Sequence, residues 1–344
     1  MIAVFEQNED IVLSRAEIIQ WLQCDDATTL FLEADRLRRE RVGDTVYFRG
    51  IIEFSNYCSS RCAYCGISAL NRGIKRYRMS VKEVTDLALE LDRMGVNTVV
   101  LQSGEDPRFS TREMLQVICG IRSQSAMAIT LSMGELPAAD YRLLREAGAD
   151  RYLMRFETSD PDLFARLHDG HTLERRLEQI ESIRQAGFQL GTGFLIGLPD
   201  QNLSMLADDI LLTSELQPPM IGVGPFVAHP DTPLRNGNGA ALDLSLRVVA
   251  LLRLLNPRAH IPGTTALDTL APDARERALL GGANIVMPNF TPSGYREHYL
   301  LYPGKPFASA VAVESLDTMK KRIHALGRPV GSGRGDPLSI TPAV

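Results

Sequence analysis

The 344-residue sequence predicts an α/β protein: a complete (βα)8 barrel of the TIM type, with an N-terminal helical cap and a C-terminal extension. Two observations carry this expectation. Segments with apolar residues at helical period alternate with short runs rich in β-branched and other apolar residues, and the alternation repeats eight times. The length also exceeds the about 250 residues that such a barrel needs, which leaves room for extensions.

Ahead of the first strand, Ser14–Gln23 and Ala27–Arg41 read as two helices. They are too short to hold a core alone, so residues 1–42 are assigned as a cap packed on the barrel. Strands are expected at Val46–Phe54, Thr98–Ser103, Ala128–Met133, Arg151–Phe156, Gln189–Ile196, Ile221–Phe226, His260–Thr265 and Asn284–Met287, with a helix after each of the first seven. Ser80 and Ser110 stand where helix N-caps are needed, and Gly95, Gly148 and Gly187 where helices should stop. The barrel is assigned to residues 43–305, and a C-terminal helix and tail to 306–344. From Gly327 onward Gly, Pro and Ser predict poor order or an extended wrap.

At 44% hydrophobic and 23% charged residues, the chain has material for a sizeable core and no disorder signature. A formal net charge of -5 supplies no general field for nucleic acid phosphates or an anionic membrane. A small-molecule substrate or protein partners are expected instead, with no nucleic acid and no membrane. No run approaches the roughly 18 apolar residues of a membrane span, and Met1–Gln23 lacks the charge and apolar pattern of a secretory signal. Five cysteines, three of them within eight positions, suggest reduced thiols used as ligands and a cytoplasmic location.

Successive side chains of a strand face opposite sides. Arg49, Ile51, Glu53 and Ser55 therefore share one face of the first strand, Thr130 and Ser132 one face of the third, and Arg155 and Glu157 one face of the fourth. Ile52, Phe54, Ile129, Leu131 and Phe156 lie opposite, suited to packing under helices. Any one of these charges could belong to a structural ion-pair network. Together they suggest a cavity lined for a polar ligand.

The segment Cys58-Ser-Ser-Arg-Cys62-Ala-Tyr-Cys65-Gly66 directly follows the first strand, at the barrel mouth where active sites of this architecture lie. Three thiolates so placed can hold three irons of a cubane cluster and leave the fourth iron open to an exogenous ligand. A structural zinc site would want a fourth protein ligand, and no nearby Cys or His supplies one. A catalytic zinc can use three ligands, but three thiolates in one short loop suit a cluster better. Cys24 and Cys119, in helix-like and partly apolar contexts, read as buried free cysteines.

Cys-x3-Cys-x-aromatic-Cys after a first barrel strand resembles the radical S-adenosylmethionine enzymes. The resemblance implies one [4Fe-4S] cluster on Cys58, Cys62 and Cys65. It also implies S-adenosylmethionine chelated to the open iron and cleaved reductively to methionine and a 5′-deoxyadenosyl radical. By the same resemblance Tyr64 lies beside adenine. Gln102-Ser103-Gly104-Glu105, similar to the family's Gly-Gly-Glu motif with Ser103 in place of the first glycine, holds the methionine amino group. Glu157 binds ribose, Arg176 reaches the methionine carboxylate, and Ser132 and Arg155 are further cofactor contacts. Gly191–Pro199 resembles the strand whose backbone approaches adenine, although a Gly-rich strand alone as often marks close packing.

Longer stretches, among them Arg49–Asn56, Lys75–Met79, Val100–Pro107, Gly224–Phe226, His229–Pro233, Met287–Asn289 and Tyr302–Lys305, resemble the [FeFe]-hydrogenase maturases of the HydE type. That narrower resemblance implies a small cysteine-derived substrate bearing iron, cyanide and carbon monoxide. Arg49, Thr264, Thr265, Tyr299 and Tyr302 would line the substrate end. It also implies a GTPase scaffold and a second radical maturase as partners, besides an electron donor. His229 could face the mouth, for orientation as readily as for proton transfer. No cysteine follows Cys119, so the second cluster that many relatives carry near the C-terminus is missing or made differently. A sister enzyme such as methylornithine synthase and a non-catalytic iron-sulfur carrier remain as alternatives.

Overall fold

The computed structural model describes residues 11–304 and 316–337. Lys305, part of one of the motifs above, lies outside them. Two helices come first, α1 (Arg15–Gln23) and α2 (Thr28–Val42), followed by the short strand β1 (Tyr47–Phe48). The strands β2 (Gly50–Ser55), β3 (Thr98–Ser103), β4 (Ala128–Ser132), β5 (Arg151–Leu153), β6 (Gln189–Thr192), β7 (Leu195–Ile196), β8 (Met220–Ile221), β9 (Gly224–Pro225), β10 (Pro262–Gly263) and β11 (Ile285–Val286) complete the set. Between them run α3 (Val81–Arg93), α4 (Thr111–Arg122), α5 (Ala138–Glu146), α6 (Pro161–Leu167), α7 (Leu173–Gln185), α8 (Leu203–Leu216), α9 (Leu242–Leu255) and α10 (Ala274–Leu280). Among the described residues two helices follow the last strand, α11 (Ser293–Arg296) and α12 (Leu316–Ala325).

Six strands form one parallel sheet in the order β2-β3-β4-β5-β6-β8, and β1-β11-β10 form a second. Single parallel bridges, Met220 to His260 and Ile51 to Asn289, carry the pairing from one sheet to the other. Parallel strands covered on both faces read as apolar runs, as in Thr98–Leu101, where every residue is buried. The register sets Glu53 opposite Gln102 and Gln102 opposite Ser132, so three polar side chains reach the same height near the C-terminal strand ends.

Ser80 and Ser110 form capping boxes with Glu83 and Glu113, which satisfies backbone donors that a helix start leaves open. The same helices present buried stripes, Val84, Ala88 and Leu91 in α3, to the sheet. α9 is buried on nearly every side, because α1 and α2 pack on its outer surface and on that of α8. The N-terminal helices thus cover α8 and α9 from outside.

Three expected strands are interrupted. The first divides at Arg49, because β1 pairs with β11 while β2 pairs with β3. The fifth divides at Gly193, whose carbonyl accepts the Phe156 and Glu157 amides at 2.9 and 3.2 Å. A Cβ at Gly193 would lie 2.4 Å from the Gly222 carbonyl oxygen, so only glycine allows this approach. The sixth divides between Ile221 and Gly224.

Residues 327–337 run as an extended strap under the N-terminal ends of the strands. Val330 bridges to Val46, Thr98 Oγ1 donates to the Arg334 carbonyl at 2.8 Å, and Arg151 donates to Asp336 at 2.6 Å. Among the described residues no helix is long and apolar enough to cross a membrane.

Candidate cofactor and substrate cavity

β2 ends at Ser55 and the chain enters the cysteine loop, which has little regular structure and is held by side chains. The Arg76 guanidinium donates to the carbonyls of Asn56, Ile67, Ser68 and Asn71, the last three at 2.6, 2.7 and 3.0 Å. Neighbouring elements fix it from outside, through Ser59 N–H to the Glu105 carbonyl (2.9 Å) and Ala63 N–H to the Leu167 carbonyl (2.8 Å). Gly104 is a contact point: a Cβ there would stand 2.3 Å from the Tyr57 carbonyl oxygen and 2.7 Å from the Cys58 Cβ.

Burial pushes all three thiols up, Cys65 to about 12, and for Cys62 and Cys65 the neighbouring cysteines add to the effect. The three thiolates therefore need a cationic group between them to be held ionised. Among the described residues no three Cys, His, Asp or Glu side chains converge on one ion.

Behind the loop lies a cavity of about 340 Å³. Tyr64 and Cys65 border it on the loop side, Gln102, Ser132, Arg155, Glu157 and Arg176 form its polar wall, and Thr264, Thr265 and Tyr302 line another part. The Tyr64 hydroxyl donates to His168 Nε2 at 3.2 Å, since His168 Nδ1 faces the Phe164 carbonyl. Burial holds His168 neutral, down to about 3.

Glu157 adopts φ +68°, a left-handed conformation unusual for a side-chain-bearing residue. Arg155 Nε lies 3.3 Å from its Oε1, while its Oε2 is buried with no hydrogen-bond partner. Burial works against the charge of Arg155, but Glu157 and then Tyr64 keep its pKa raised. Arg176 donates to Glu135 at 2.9 Å and to the Arg155 carbonyl at 2.8 Å. Burial opposes its charge too, and Glu135 outweighs the burial.

The other sequence-selected residues lie elsewhere. Ser103, Gly104 and Glu105 sit against the cysteine loop rather than in the cavity wall: Ser60 donates to the Glu105 carboxylate, and Ser103 Oγ to the Gly104 carbonyl at 2.7 Å. Tyr299 is buried behind the wall, its hydroxyl 3.5 Å from Gln102 Nε2. His229 packs on Gly66, accepts the Asp231 amide at 3.1 Å, and has its pKa lowered by burial. The placement of Arg49 at the substrate end requires correction. It stands between β1 and β2 at the opposite end of the strands, fully buried against Met220 and the Gly335 carbonyl, and does not line the cavity. The sequence singles out neither His168 nor Glu135, and Asn289 only within the Met287–Asn289 stretch. Glu135 carried a signal, because Gly134-Glu135 follows β4 as Gly104-Glu105 follows β3.

A partly buried three-thiol loop at the C-terminal ends of parallel strands thus faces an orphaned carboxylate and two arginines, a donor set suited to a cluster and a polar, charged cofactor. Residues 52–212 match the Radical SAM superfamily. The chain is 43% identical over 306 residues, 89% of its length and 88% of the relative's, to the [FeFe] hydrogenase maturase subunit HydE of Thermotoga maritima. It is 27% identical over 264 residues, 76% and 74% of the two chains, to 3-methylornithine synthase of Methanosarcina acetivorans. The crystal structure of methylornithine synthase (PylB) superposes with a TM-score of 0.80 over 93% of this chain and 94% of that one, at 23% identity. The chain belongs to the radical SAM superfamily and, within it, to the family of the maturase HydE. Membership implies an iron-sulfur cluster and S-adenosylmethionine. The thiol loop and the unpartnered Glu157 oxygen are donor sets that fit both.

Proposed function

We propose that this enzyme acts in assembly of the two-iron subcluster of [FeFe]-hydrogenase, on a small cysteine-derived species bearing iron, carbon monoxide and cyanide. The observation that carries this reading is the identity to a HydE maturase over nearly the full length of both chains. The βα units and their linking bridges support a complete barrel, with residues 1–42 as its helical cap, 43–305 as the barrel and 306–344 as helix and tail.

One [4Fe-4S] cluster on Cys58, Cys62 and Cys65 with S-adenosylmethionine would supply, on one-electron reduction, a 5′-deoxyadenosyl radical and methionine. The chain's own residues bind and orient. Glu157 offers its free Oε2 as acceptor to ribose hydroxyls, which explains the retention of a buried carboxylate in a strained turn. Arg176, held from behind by Glu135, presents positive charge to the methionine carboxylate, with Arg155, Gln102 and Ser132 beside it. Tyr64, fixed by His168, flanks adenine, and Glu105 stands next to the loop where the amino group would lie. Thr264, whose buried Oγ1 has no partner, Thr265 and Tyr302 would receive the substrate.

In this reading the enzyme works in the cytoplasm with an electron donor, a GTPase scaffold and a second radical maturase. The test is rescue of active [FeFe]-hydrogenase in a host lacking its own HydE but holding the other two maturases, together with anaerobic turnover of candidate small molecules. Conversion of the cysteine-bound iron carbonyl species is the expected result. Efficient conversion of lysine to methylornithine, with no reaction on the iron species, would move the protein to the sister enzyme. Absence of any cofactor cleavage would leave only an iron-sulfur carrier.

A further inference from the structure

We infer that Asp209 is a positioning residue for the cofactor, holding the Glu157 turn and the Leu195–Gly197 segment in one bracket without touching the ligand. The inference rests on the reading of Glu157 as a cofactor-binding carboxylate. It assigns a task to a residue that neither the sequence motifs nor the cavity lining includes.

Asp209 stands on α8, outside the sheet, among the buried Leu206, Ala207, Ile210 and Thr213, and is itself 0% exposed. A carboxylate in such a position is costly unless every lone pair is used. Here both oxygens are used. Oδ1 accepts from the Ser159 amide, from Ser159 Oγ at 2.7 Å and from Thr158 Oγ1 at 3.3 Å, and Oδ2 accepts from Gln201 Nε2 at 2.8 Å. Thr158 and Ser159 are the two residues after Glu157, so Oδ1 fixes the exit of the left-handed turn that aims Glu157 inward.

Gln201 passes the restraint on. Its Oε1 accepts the Gly197 and Leu198 amides at 2.7 and 3.2 Å, and its Nε2 also donates to the Leu195 carbonyl at 3.0 Å. Leu195 lines the cavity, and its amide donates to the Glu157 carbonyl at 3.0 Å. The bracket therefore closes on itself: Glu157, Ser159, Asp209, Gln201 and Leu195 form one hydrogen-bonded circuit around the cavity's edge. Without Asp209 the amide of Ser159 loses its acceptor, and Glu157 is free to return to an ordinary backbone basin, which carries its carboxylate away from the cavity. Burial pushes Asp209 up to about 6, the mark of a carboxylate kept in place at a cost.

The test uses full-length, anaerobically reconstituted protein, with S-adenosylmethionine affinity by titration calorimetry, iron content and thermal unfolding measured for each variant. D209A is expected to bind S-adenosylmethionine about tenfold more weakly at wild-type iron content. D209N keeps an acceptor for Ser159 but sets an amide against Gln201, and should fall between wild type and D209A. The D209A/E157A double variant should bind no more weakly than E157A alone, since the two act through one contact. A purely structural role would give multiplying losses in the double variant, and that result overturns the inference, as does unchanged affinity in D209A. If D209A does not fold, Q201L carries the comparison: a several-fold loss is expected, and wild-type affinity refutes the bracket. Unchanged affinity in E157A would instead sink the reading of Glu157, and this inference with it.

Discussion

Gly104→Ala tests whether the cysteine loop is set by close backbone contact. The added methyl would meet the Tyr57 carbonyl oxygen at 2.3 Å and the Cys58 Cβ and Cα at 2.7 and 3.1 Å, where ordinary contact begins near 3.4 Å. The obstruction is mostly main chain, so no rotamer change relieves it, and the loop must move by roughly 1 Å. That movement is opposed on both sides, by Gly104 N–H on the Ser55 carbonyl at 3.1 Å and Ser59 N–H on the Glu105 carbonyl at 2.9 Å. Overpacking of about 1–3 kcal/mol plus about 1 kcal/mol for a weakened backbone bond gives roughly 3 kcal/mol. If that falls on the loop geometry, cluster affinity drops on the order of 100-fold. The assay is iron and sulfide content after anaerobic reconstitution, with thermal unfolding alongside. Gly294→Ala, which adds a methyl to open space, serves as control. Full iron content and wild-type cofactor cleavage in Gly104→Ala would refute the reasoning.

Wild-type protein should take up about four irons per chain, and Cys58→Ala, Cys62→Ala or Cys65→Ala should each abolish the cluster; a well-formed second cubane in the wild type would contradict the single-cluster reading. Arg176→Ala should weaken S-adenosylmethionine binding by tenfold or more, from the loss of about 1.5–3 kcal/mol of charge-assisted contact, with iron content kept; unchanged affinity would show that the side chain has another task. His168 should make stability pH-dependent. Its folded pKa of about 3 lies below the ordinary 6.5, so the unfolded chain binds the proton first. Stability is then full above pH 6.5 and falls on acidification by up to about 1.4 kcal/mol per pH unit. His168→Gln should remove that component, and parallel acid unfolding of the two proteins between pH 6 and 4 would argue against it.

Period-two alternation made the polar faces of the strands legible, because a parallel strand has two faces and one points inward. It gave the face but not the height: Arg49 and Glu53 share a face, yet one sits among strap residues and the other at the cavity. The same alternation pairs Arg155 and Glu157 as neighbours on one face of a strand. The structure ends β5 at Leu153 and brings the two side chains together through the left-handed turn at Glu157. The three thiols and the Gly-Glu after β3 were readable because their spacing is local. His168 and Asp209 were not, because each acts on a partner supplied by a distant part of the chain, and neither has a periodic or spacing signature.

The strap of residues 327–337 closes off the base of the strands. Arg49, Arg151 and Thr98, all fully buried, are tied to its carbonyls and to Asp336. The strap thus acts as a plug at the strand ends away from the cysteine loop, and a chain cut before Gly327 would leave three buried polar side chains without the partners that hold them there.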